Sequence, residues 1–259
     1  MAMREPAYAD RRRAGVFGSA ADDYDRFRPR YPDHLIAGLV VRPGMRVLDV
    51  GAGTGIASRQ LRDAGADLLA VEPDPRMARV AKAHDILVEE ATFEDWDPGG
   101  RTFDLVVFAQ SFHWVRPEPA LDKVASILRP GGRLAVLANR IVPHSPTQDH
   151  LDKAYVGYLD KSQRPSIVGS HGDDLTAMIR SRGYSVEKRY VIERLHYPRH
   201  AWVNLVCTYS NVLTLEPAAR AGLRAALHQR ISTEGVDAEN QAVAVVATPI
   251  PKPEISNGR

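Results

Sequence analysis

Short apolar runs and amphipathic segments alternate along the middle of the chain. Apolar runs rich in Val, Leu and Ala predict five strands, at residues 45–50, 67–73, 85–91, 103–110 and 133–140. Between these runs apolar residues recur at helical spacing, as Leu121, Val124 and Leu128 do. Because the strands are apolar on both faces, helices must cover both sides of the sheet. The pattern therefore predicts an α/β fold with a doubly wound, mostly parallel sheet.

The segments on either side of this core follow less regular patterns. Before it, Leu35, Ile36 and Leu39 form an apolar helical face, and Asp33 is the expected N-cap. After it, we expect strands at 185–197 and 241–250 and helices at 148–161, 173–182, 198–213 and 216–231. Roughly 45 residues separate the fifth strand from the sixth, which is too long for a plain connection, so a small helical lid is expected there.

Composition and charge narrow the classes of partner. The chain has 259 residues and a formal net charge of +2, which gives no reason to expect nucleic acid or an acidic membrane as a partner. The basic run at 11–13 is offset by nearby Asp residues and is expected to be a solvated tail. The N-terminus lacks a secretory signal, and the single cysteine, Cys207, fits a reducing compartment, so a cytoplasmic protein is expected. No Cys–His cluster or His–carboxylate spacing predicts a metal site.

A glycine-rich turn follows the first predicted strand, in VLDVGAGTGIAS (residues 47–58). Such a turn lets the backbone approach a ligand closely, and the next helix points its positive end at the same place. Glu72 ends the second strand, 21 residues after Gly51, where a carboxylate can accept hydrogen bonds from both ribose hydroxyls. The pattern predicts a nucleotide-like ligand.

Two residues separate a dinucleotide from S-adenosylmethionine (SAM) as that ligand. A dinucleotide site favours glycine at the sixth place of the turn, where this chain has Ile56. Asp49 is unfavourable beside a pyrophosphate but is compatible with the ammonium and sulfonium groups of SAM. These residues favour SAM.

Four motifs occur in order, VLDVGAGTG, LLAVEPDPRM, FDLVVFAQSFHWV and LRPGGRLAVL. Together they resemble the class I SAM-dependent methyltransferases. The resemblance extends to the type 11 small-molecule branch, with members similar to trans-aconitate methyltransferase, and FGSAADDYDRFRPRYP resembles the N-terminal segment of that branch. It covers residues 17–140 and, more loosely, 185–250. It implies a seven-stranded Rossmann-like sheet of order 3-2-1-4-5-7-6, with the last strand antiparallel.

The resemblance also implies the residues that hold SAM or its product, S-adenosylhomocysteine. Gly51, Ala52 and Gly53 would line the methionine end, and Glu72 would hold the ribose. Many family members have Asp where this chain has Thr92, which is a weaker acceptor for the adenine amino group. The other implied cofactor-binding residues are Tyr24, Arg28, Asp49, Pro73, Met77, Phe93 and Gln110.

His113 is the leading candidate for catalysis. It follows the fourth strand, at the edge of the sheet where ligands bind, and an imidazole suits a general base near neutral pH. The sequence leaves open whether His113 acts as a base or only orients the substrate. Tyr24 is a second candidate because it shares a helical face with Arg28, although Tyr24 would also serve as a packing aromatic and Arg28 as a partner of Asp22 or Asp25.

Substrate contacts are expected from aromatic and cationic residues. Trp114 would form an aromatic wall, whereas Phe112 fits the core better. Trp202 and Tyr209, in the predicted lid, would either shape the substrate pocket or pack inside the lid. An anionic substrate is favoured by His113, Arg28 and Arg140.

The sequence therefore predicts an enzyme that moves a methyl group from SAM to an O, N or C nucleophile of a small molecule, as a monomer or homodimer. The alternatives are a non-catalytic SAM-binding module and, less favoured, an NAD(P)-dependent oxidoreductase. The expected organisation is a cofactor-covering segment, a SAM-binding core, a helical lid insertion, the last strands with further lid helices, and a tail, at 1–32, 33–140, 141–184, 185–250 and 251–259.

Overall fold

The computed structural model describes residue 8, residues 10–160 and residues 171–250. The expectations for the start of the N-terminal segment, for the middle of the 141–184 insertion and for the tail at 251–259 lie outside the described residues.

The sequence forms alternating strands and helices up to residue 138, as predicted. The helices are α1 (Arg11–Ala14), α2 (Ala21–Phe27), α3 (Asp33–Ala37), α4 (Ile56–Asp63), α5 (Pro75–Ala83), α6 (Pro117–Ile127), α7 (Gln148–Asp152), α8 (His171–Ser181), α9 (Arg199–Cys207), α10 (Ser210–Leu213) and α11 (Pro217–Arg230). The strands are β1 (Arg46–Val50), β2 (Asp67–Val71), β3 (Val88–Glu89), β4 (Phe103–Ala109), β5 (Leu128–Ala138), β6 (Ile141–Ser145), β7 (Tyr184–Tyr197) and β8 (Val236–Pro249). Short 3₁₀ helices cover Phe17–Ala20, Phe112–Trp114 and Lys153–Tyr155.

One twisted sheet organises the molecule. Its order is β3-β2-β1-β4-β5-β8, with β7 paired to the other edge of β8. The pairs from β3 to β5 are parallel, whereas β8 is antiparallel to both β5 and β7. This arrangement confirms the predicted fold class and the predicted strand order 3-2-1-4-5-7-6, in which β7 and β8 are strands 6 and 7. The short β6 was not predicted, and it pairs with the first half of β8.

Helices cover both faces of the sheet, as the apolar strands require. On one face, Leu121 and Val124 of α6 and Ile179 of α8 pack over the central strands. On the other face, Leu39, two residues after α3, and Leu61 of α4 are both fully buried. Because this core fills the space between the helices and the sheet, it fixes the carboxyl ends of β1, β2, β4 and β5 at one edge.

A separate helical layer stands beside this edge. It consists of α7, the 3₁₀ helix at Lys153–Tyr155, and α9 to α11, and we call it the lid. Its own core contains Tyr155, Trp202, Val203, Leu223 and Leu227. Helix α8, expected within the lid insertion, instead packs on the sheet through its apolar face. The lid therefore has two sequence segments rather than one continuous block.

Several local expectations were wrong, among them the bounds of the third and fifth strands, which are Val88–Glu89 and Leu128–Ala138. Asp33 is the first residue of α3 and not its N-cap; Pro32 precedes the helix, and the Asp33 carboxylate accepts a hydrogen bond from Gln60 at 3.4 Å. Strand β8 begins at Val236, five residues before the predicted start at 241. Its first half alternates buried apolar positions with Asp237 and Glu239, which weakened the apolar signal.

Within residues 8, 10–160 and 171–250, none of the helices is both long enough and apolar enough to span a lipid bilayer.

Candidate functional site

The glycine turn after β1 allows a ligand to approach the backbone closely. Gly51 and Gly53 have φ values of +66° and +59°, a region that favours glycine. A Cβ atom on Gly51 would lie 2.6 Å from the Cβ of Ser111, so a side chain does not fit there. The Ser111 hydroxyl in turn donates a hydrogen bond to the carbonyl of Val50. The ends of β1 and β4 are thereby held together with bare backbone facing the cavity.

Glu72 is fixed at the end of β2 by the same turn. Its carboxylate accepts hydrogen bonds from the backbone N–H of Gly53 at 2.7 Å and of Asp74 at 2.9 Å. The side chain is buried, and burial raises the pKa of Glu72 to about 7. A buried carboxylate with lone pairs to spare can accept hydrogen bonds from a pair of ligand hydroxyls.

Asp49 on β1 is fully buried and does not line the cavity. One carboxylate oxygen accepts a hydrogen bond from the Ser58 hydroxyl at 2.6 Å, while the other has no hydrogen-bond partner. Burial raises the pKa of Asp49 to about 6. Because Asp49 lies on β1 directly before the glycine turn, its carboxylate would favour a ligand that brings a positive charge to this end of the site.

The turn after β3 forms another wall of the cavity. Phe93 is buried and lines the cavity with Met77 of α5. The Thr92 hydroxyl donates a hydrogen bond to the Asp95 carboxylate at 2.7 Å, so it is already engaged within the turn. Glu94 also lines the cavity. This wall is apolar with polar groups at its rim, which suits a flat heteroaromatic ring.

The end of β4 presents the candidate catalytic residue. Gln110 has a φ of +59°, and its side-chain amide donates a hydrogen bond to the carbonyl of Asn139 at 2.8 Å. The 3₁₀ helix that follows places Phe112 in the core and His113 toward solvent. The His113 and Trp114 rings lie 4.6 Å apart, and both residues line the cavity.

The N-terminal segment and the lid meet at Arg28. Its guanidinium lies 4.7 Å from the Tyr24 ring centroid and 4.2 Å from that of Tyr209. It also donates hydrogen bonds to the hydroxyl and carbonyl of Thr208, at 2.8 and 2.9 Å. Arg28 does not pair with Asp25, the alternative considered above, because Asp25 pairs with Arg59 at 2.6 Å. Tyr24, Arg28 and Tyr209 form one wall of the cavity.

These groups enclose a cavity of about 400 Å³ at the carboxyl edge of the sheet. The expected site residues that line it are Tyr24, Arg28, Gly51, Ala52, Gly53, Glu72, Pro73, Met77, Thr92, Phe93, Gln110, His113, Trp114 and Tyr209. Arg140 and Trp202 do not. Arg140 follows β5 and its backbone pairs with Gln241, whereas Trp202 is buried in the lid core against Tyr197. The structure therefore gives neither residue a contact with the cavity.

Several lining residues were not anticipated. Arg13, expected in a solvated tail, donates a hydrogen bond to the Ser210 hydroxyl at 3.0 Å and lines the cavity with it. Phe17 lies edge-on to both Tyr24 and Trp114, at 5.8 and 5.9 Å between ring centroids. The Arg13–Ser210 and Phe17–Trp114 contacts join segments far apart in sequence, which local patterns do not reveal. Asn139, directly after β5, was identifiable from its place at the strand end.

The cavity holds no metal-binding arrangement among residues 8, 10–160 and 171–250, since no group of three or more His, Cys, Asp or Glu side chains converges there.

Comparison with known proteins agrees with this geometry. A family described as "Methyltransferase domain" matches residues 24–188, which include the glycine turn, Glu72 and His113. The chain belongs to this family. An uncharacterized methyltransferase of Mycobacterium tuberculosis is 31% identical over 233 residues, spanning 88% of this methyltransferase and 90% of the relative. The predicted class of enzyme is confirmed.

Solved structures share the fold of this methyltransferase. SAM-dependent methyltransferases of Geobacter sulfurreducens and Thiobacillus denitrificans, each in complex with S-adenosylhomocysteine, superpose with TM-scores of 0.55 and 0.53. They are 17% and 19% identical to this chain, cover 91% of it, and match over 98% and 97% of their own lengths. At identities of 17% and 19%, these comparisons establish a shared fold.

Proposed function

We propose that this methyltransferase transfers a methyl group from SAM to an O, N or C nucleophile of a small molecule. The observation that carries the proposal is a single cavity with two chemically different ends. The glycine turn and Glu72 form one end, and His113, Trp114 and lid residue Tyr209 form the other. We also propose that the protein belongs to the type 11 small-molecule branch, whose members are similar to trans-aconitate methyltransferase.

The cofactor end fits SAM in charge as well as in shape. Glu72 would accept hydrogen bonds from the ribose hydroxyls, and the Asp49 carboxylate, buried behind the glycine turn, would favour the cationic methionine end through its charge. Gly51 and Gly53 leave room for the ligand against bare backbone. Met77 and Phe93 would hold the adenine, with the Thr92 hydroxyl committed to Asp95. When bound, SAM supplies an electrophilic methyl group on a sulfonium.

The acceptor end lies between the end of β4 and the lid. His113 would face the acceptor, either removing its proton or holding it in line with the methyl group. Trp114 and Tyr24 would bound the acceptor on either side and exclude water. Tyr24 is also joined to the lid, because Arg28 lies against both its ring and that of Tyr209.

The size of the cavity supports a small acceptor. A volume of about 400 Å³ lies within the roughly 300–1,000 Å³ typical of small-molecule sites. The lid reaches this volume through Tyr209 and Ser210, at the start of α10. The near-neutral net charge of +2 gives no electrostatic reason for a nucleic acid substrate. We propose that residues 1–32 cover the cofactor and that residues 33–140 bind it.

The decisive experiment is a calorimetric titration with SAM, S-adenosylhomocysteine and NAD in parallel. Micromolar binding of both adenosyl ligands without NAD binding supports the proposal, whereas binding of NAD alone refutes it. A screen of small molecules with methyl-labelled SAM then tests transfer. Tight SAM binding without label transfer to any acceptor would favour a non-catalytic SAM-binding module.

A further inference from the structure

Two guanidinium groups line the cavity on the side of the N-terminal segment and the lid. They belong to Arg13 on α1 and Arg28 just after α2. The carboxylates that line the same cavity are already engaged, and Asp74 lies against the N-terminal segment, where its partner Arg76 donates a hydrogen bond to the carbonyl of Gly15 at 2.9 Å. Glu72 accepts hydrogen bonds from backbone N–H groups, Asp74 pairs with Arg76 at 2.7 Å, and Glu94 accepts from the backbone N–H of Arg116 at 3.2 Å.

Arg28 belongs to the methionine end of the cavity. The residue after it, Pro29, offers its carbonyl to the Asn139 side chain at 3.4 Å, and Asn139 accepts the hydrogen bond of Gln110 through its own carbonyl. Arg28 is thereby placed beside the ends of β4 and β5. SAM carries one carboxylate, on its methionine part, and Arg28 is the cation positioned to meet it.

Arg13 is the second cation, and its guanidinium is only partly engaged. Its backbone N–H donates to Asp10 at 3.0 Å, and its side chain donates one hydrogen bond to Ser210 at 3.0 Å. Its Nε lies 4.0 Å from the Asp10 carboxylate, and because this ion pair is long and its side chains are 35% and 36% exposed, it offsets little of the Arg13 charge. A guanidinium has five N–H donors, and an anionic oxygen is the acceptor that they bind most strongly.

Resting on the proposed function, we infer that the acceptor substrate is a small organic anion whose carboxylate or phosphate oxygens bind between Arg13 and Ser210. The guanidinium would donate through its terminal N–H groups, one of which already reaches Ser210, and the Ser210 hydroxyl would donate to the same anion. The aromatic rings of Phe17 and Trp114, which lie edge-on at 5.9 Å, would flank the carbon skeleton. Arg13 is thus a specificity-determining residue.

The test is calorimetry on the full chain saturated with S-adenosylhomocysteine, so that the cofactor end is already filled. Benzoate, succinate and phenyl phosphate are titrated against the neutral controls benzamide and succinamide, at constant pH and ionic strength. The variants are Arg13→Gln, Arg13→Lys and, as a matched control, Arg12→Gln. Arg12 is exposed, adjacent and equal in charge, but does not line the cavity.

We expect at least one anion to bind at least tenfold more tightly than its neutral analogue. Arg13→Gln should weaken this binding tenfold or more, Arg13→Lys should restore part of it, and Arg12→Gln should leave it unchanged. The benzoate and phenyl phosphate arms distinguish a carboxylate from a phosphate. S-adenosylhomocysteine affinity should be the same in all variants, which also verifies folding.

The inference is wrong if no anion binds the loaded protein, if amides bind equally well, or if Arg13→Gln changes nothing. An anion that displaces S-adenosylhomocysteine also overturns it, since that anion would occupy the methionine carboxylate site. If S-adenosylhomocysteine itself fails to bind the unmodified protein, the proposed function fails first, and the two failures are thereby distinguished.

Discussion

The carboxylate of Glu72 accepts a hydrogen bond from the backbone N–H of Gly53 at 2.7 Å. This bond ties the end of β2 to the turn after β1, so the group expected to hold the ribose and the backbone expected to line the methionine end form one unit. Because the carboxylate is buried and bonded to Gly53, its protonation state affects both the group that would hold the ribose and the turn itself.

Cofactor affinity should depend on pH through Glu72. Burial raises the pKa of this carboxyl to about 7, and ribose hydroxyls donate to the ionised form. The ionised fraction then increases about tenfold between pH 6 and pH 8, so S-adenosylhomocysteine should bind about tenfold more tightly at the higher pH. Calorimetry across this interval measures the effect.

Glu72→Gln is the control for this dependence. The amide cannot ionise, so the variant should bind more weakly at pH 8 and show a flatter pH profile. An unchanged slope would assign the titration to another group, and Asp49, with its pKa raised by burial to about 6, is the first to examine.

Gly51→Ala should weaken cofactor binding because the clash with Ser111 displaces the turn that lines the cofactor end. The new Cβ would lie 2.6 Å from Ser111 in a backbone conformation with φ +66°. We expect at least a tenfold loss in S-adenosylhomocysteine affinity, measured by calorimetry. Gly99→Ala is a matched control, because Gly99 has φ +57° but no atom within 4 Å of the added Cβ.

The two glycine variants separate backbone strain from the clash with Ser111. Both should lose roughly 1–2 kcal/mol of stability from the left-handed backbone conformation, measured by denaturant unfolding, and Gly51→Ala should lose more because of the clash. Equal binding losses in Gly51→Ala and Gly99→Ala would mean that general instability, and not the displaced turn, explains the result.

His113→Ala should lower turnover more than cofactor affinity. If His113 serves as a general base, kcat should fall by about 100-fold or more, while the Kd of S-adenosylhomocysteine changes little. His34→Ala, an exposed histidine on α3 outside the cavity, should have no effect. Equal losses of turnover and cofactor binding would contradict a role in catalysis.

The pH dependence of kcat then distinguishes the two roles left open for His113. A base gives a loss of activity at low pH that disappears in the variant, whereas a positioning residue leaves the profile unchanged in shape.

The N-terminal segment should become more ordered when the cofactor binds. Amide exchange at residues 15–35 is expected to slow on addition of S-adenosylhomocysteine, because Phe17, Tyr24 and Arg28 line the cavity. Asp25 anchors α2 through Arg59 at 2.6 Å and His84 at 3.0 Å. Asp25→Asn should therefore speed exchange in this segment.

Asp22→Asn provides the comparison for Asp25→Asn. The Asp22 ion pair with Arg79 spans 3.2 Å between side chains that are 82% and 64% exposed, so it contributes little. Equal amide exchange rates at residues 15–35 in the two variants would contradict this account. Exchange rates that do not change when S-adenosylhomocysteine is added would contradict it as well.

The sequence predicted what depends on local pattern and on the order of elements. Val47 to Val50, the glycine turn and Glu72 follow the alternation of strands and helices, and their places in the sheet agree with the expectation. Where the pattern was diluted by polar residues, prediction failed, as at Asp237 and Glu239 in the first half of β8.

The walls of the site that come from distant segments were harder to predict. Arg13 and Ser210 lie 197 positions apart in the chain, and no local sequence pattern near either residue predicts their contact. Trp202 carried an apolar, aromatic signal that suits a pocket wall and a core equally well, and it packs in the lid core. Only tertiary packing separates these cases.

Helices α9 to α11 are inserted between two strands that pair with each other. The chain leaves the sheet after Tyr197 and returns at Val236, and these two residues are cross-strand partners. The family match ends at residue 188, before this insertion, yet Tyr209 and Ser210 within it reach the cavity. The hairpin of β7 and β8 therefore carries the helices α9 to α11, so a change in this insertion alters one wall of the cavity and leaves the pairing of the two strands intact.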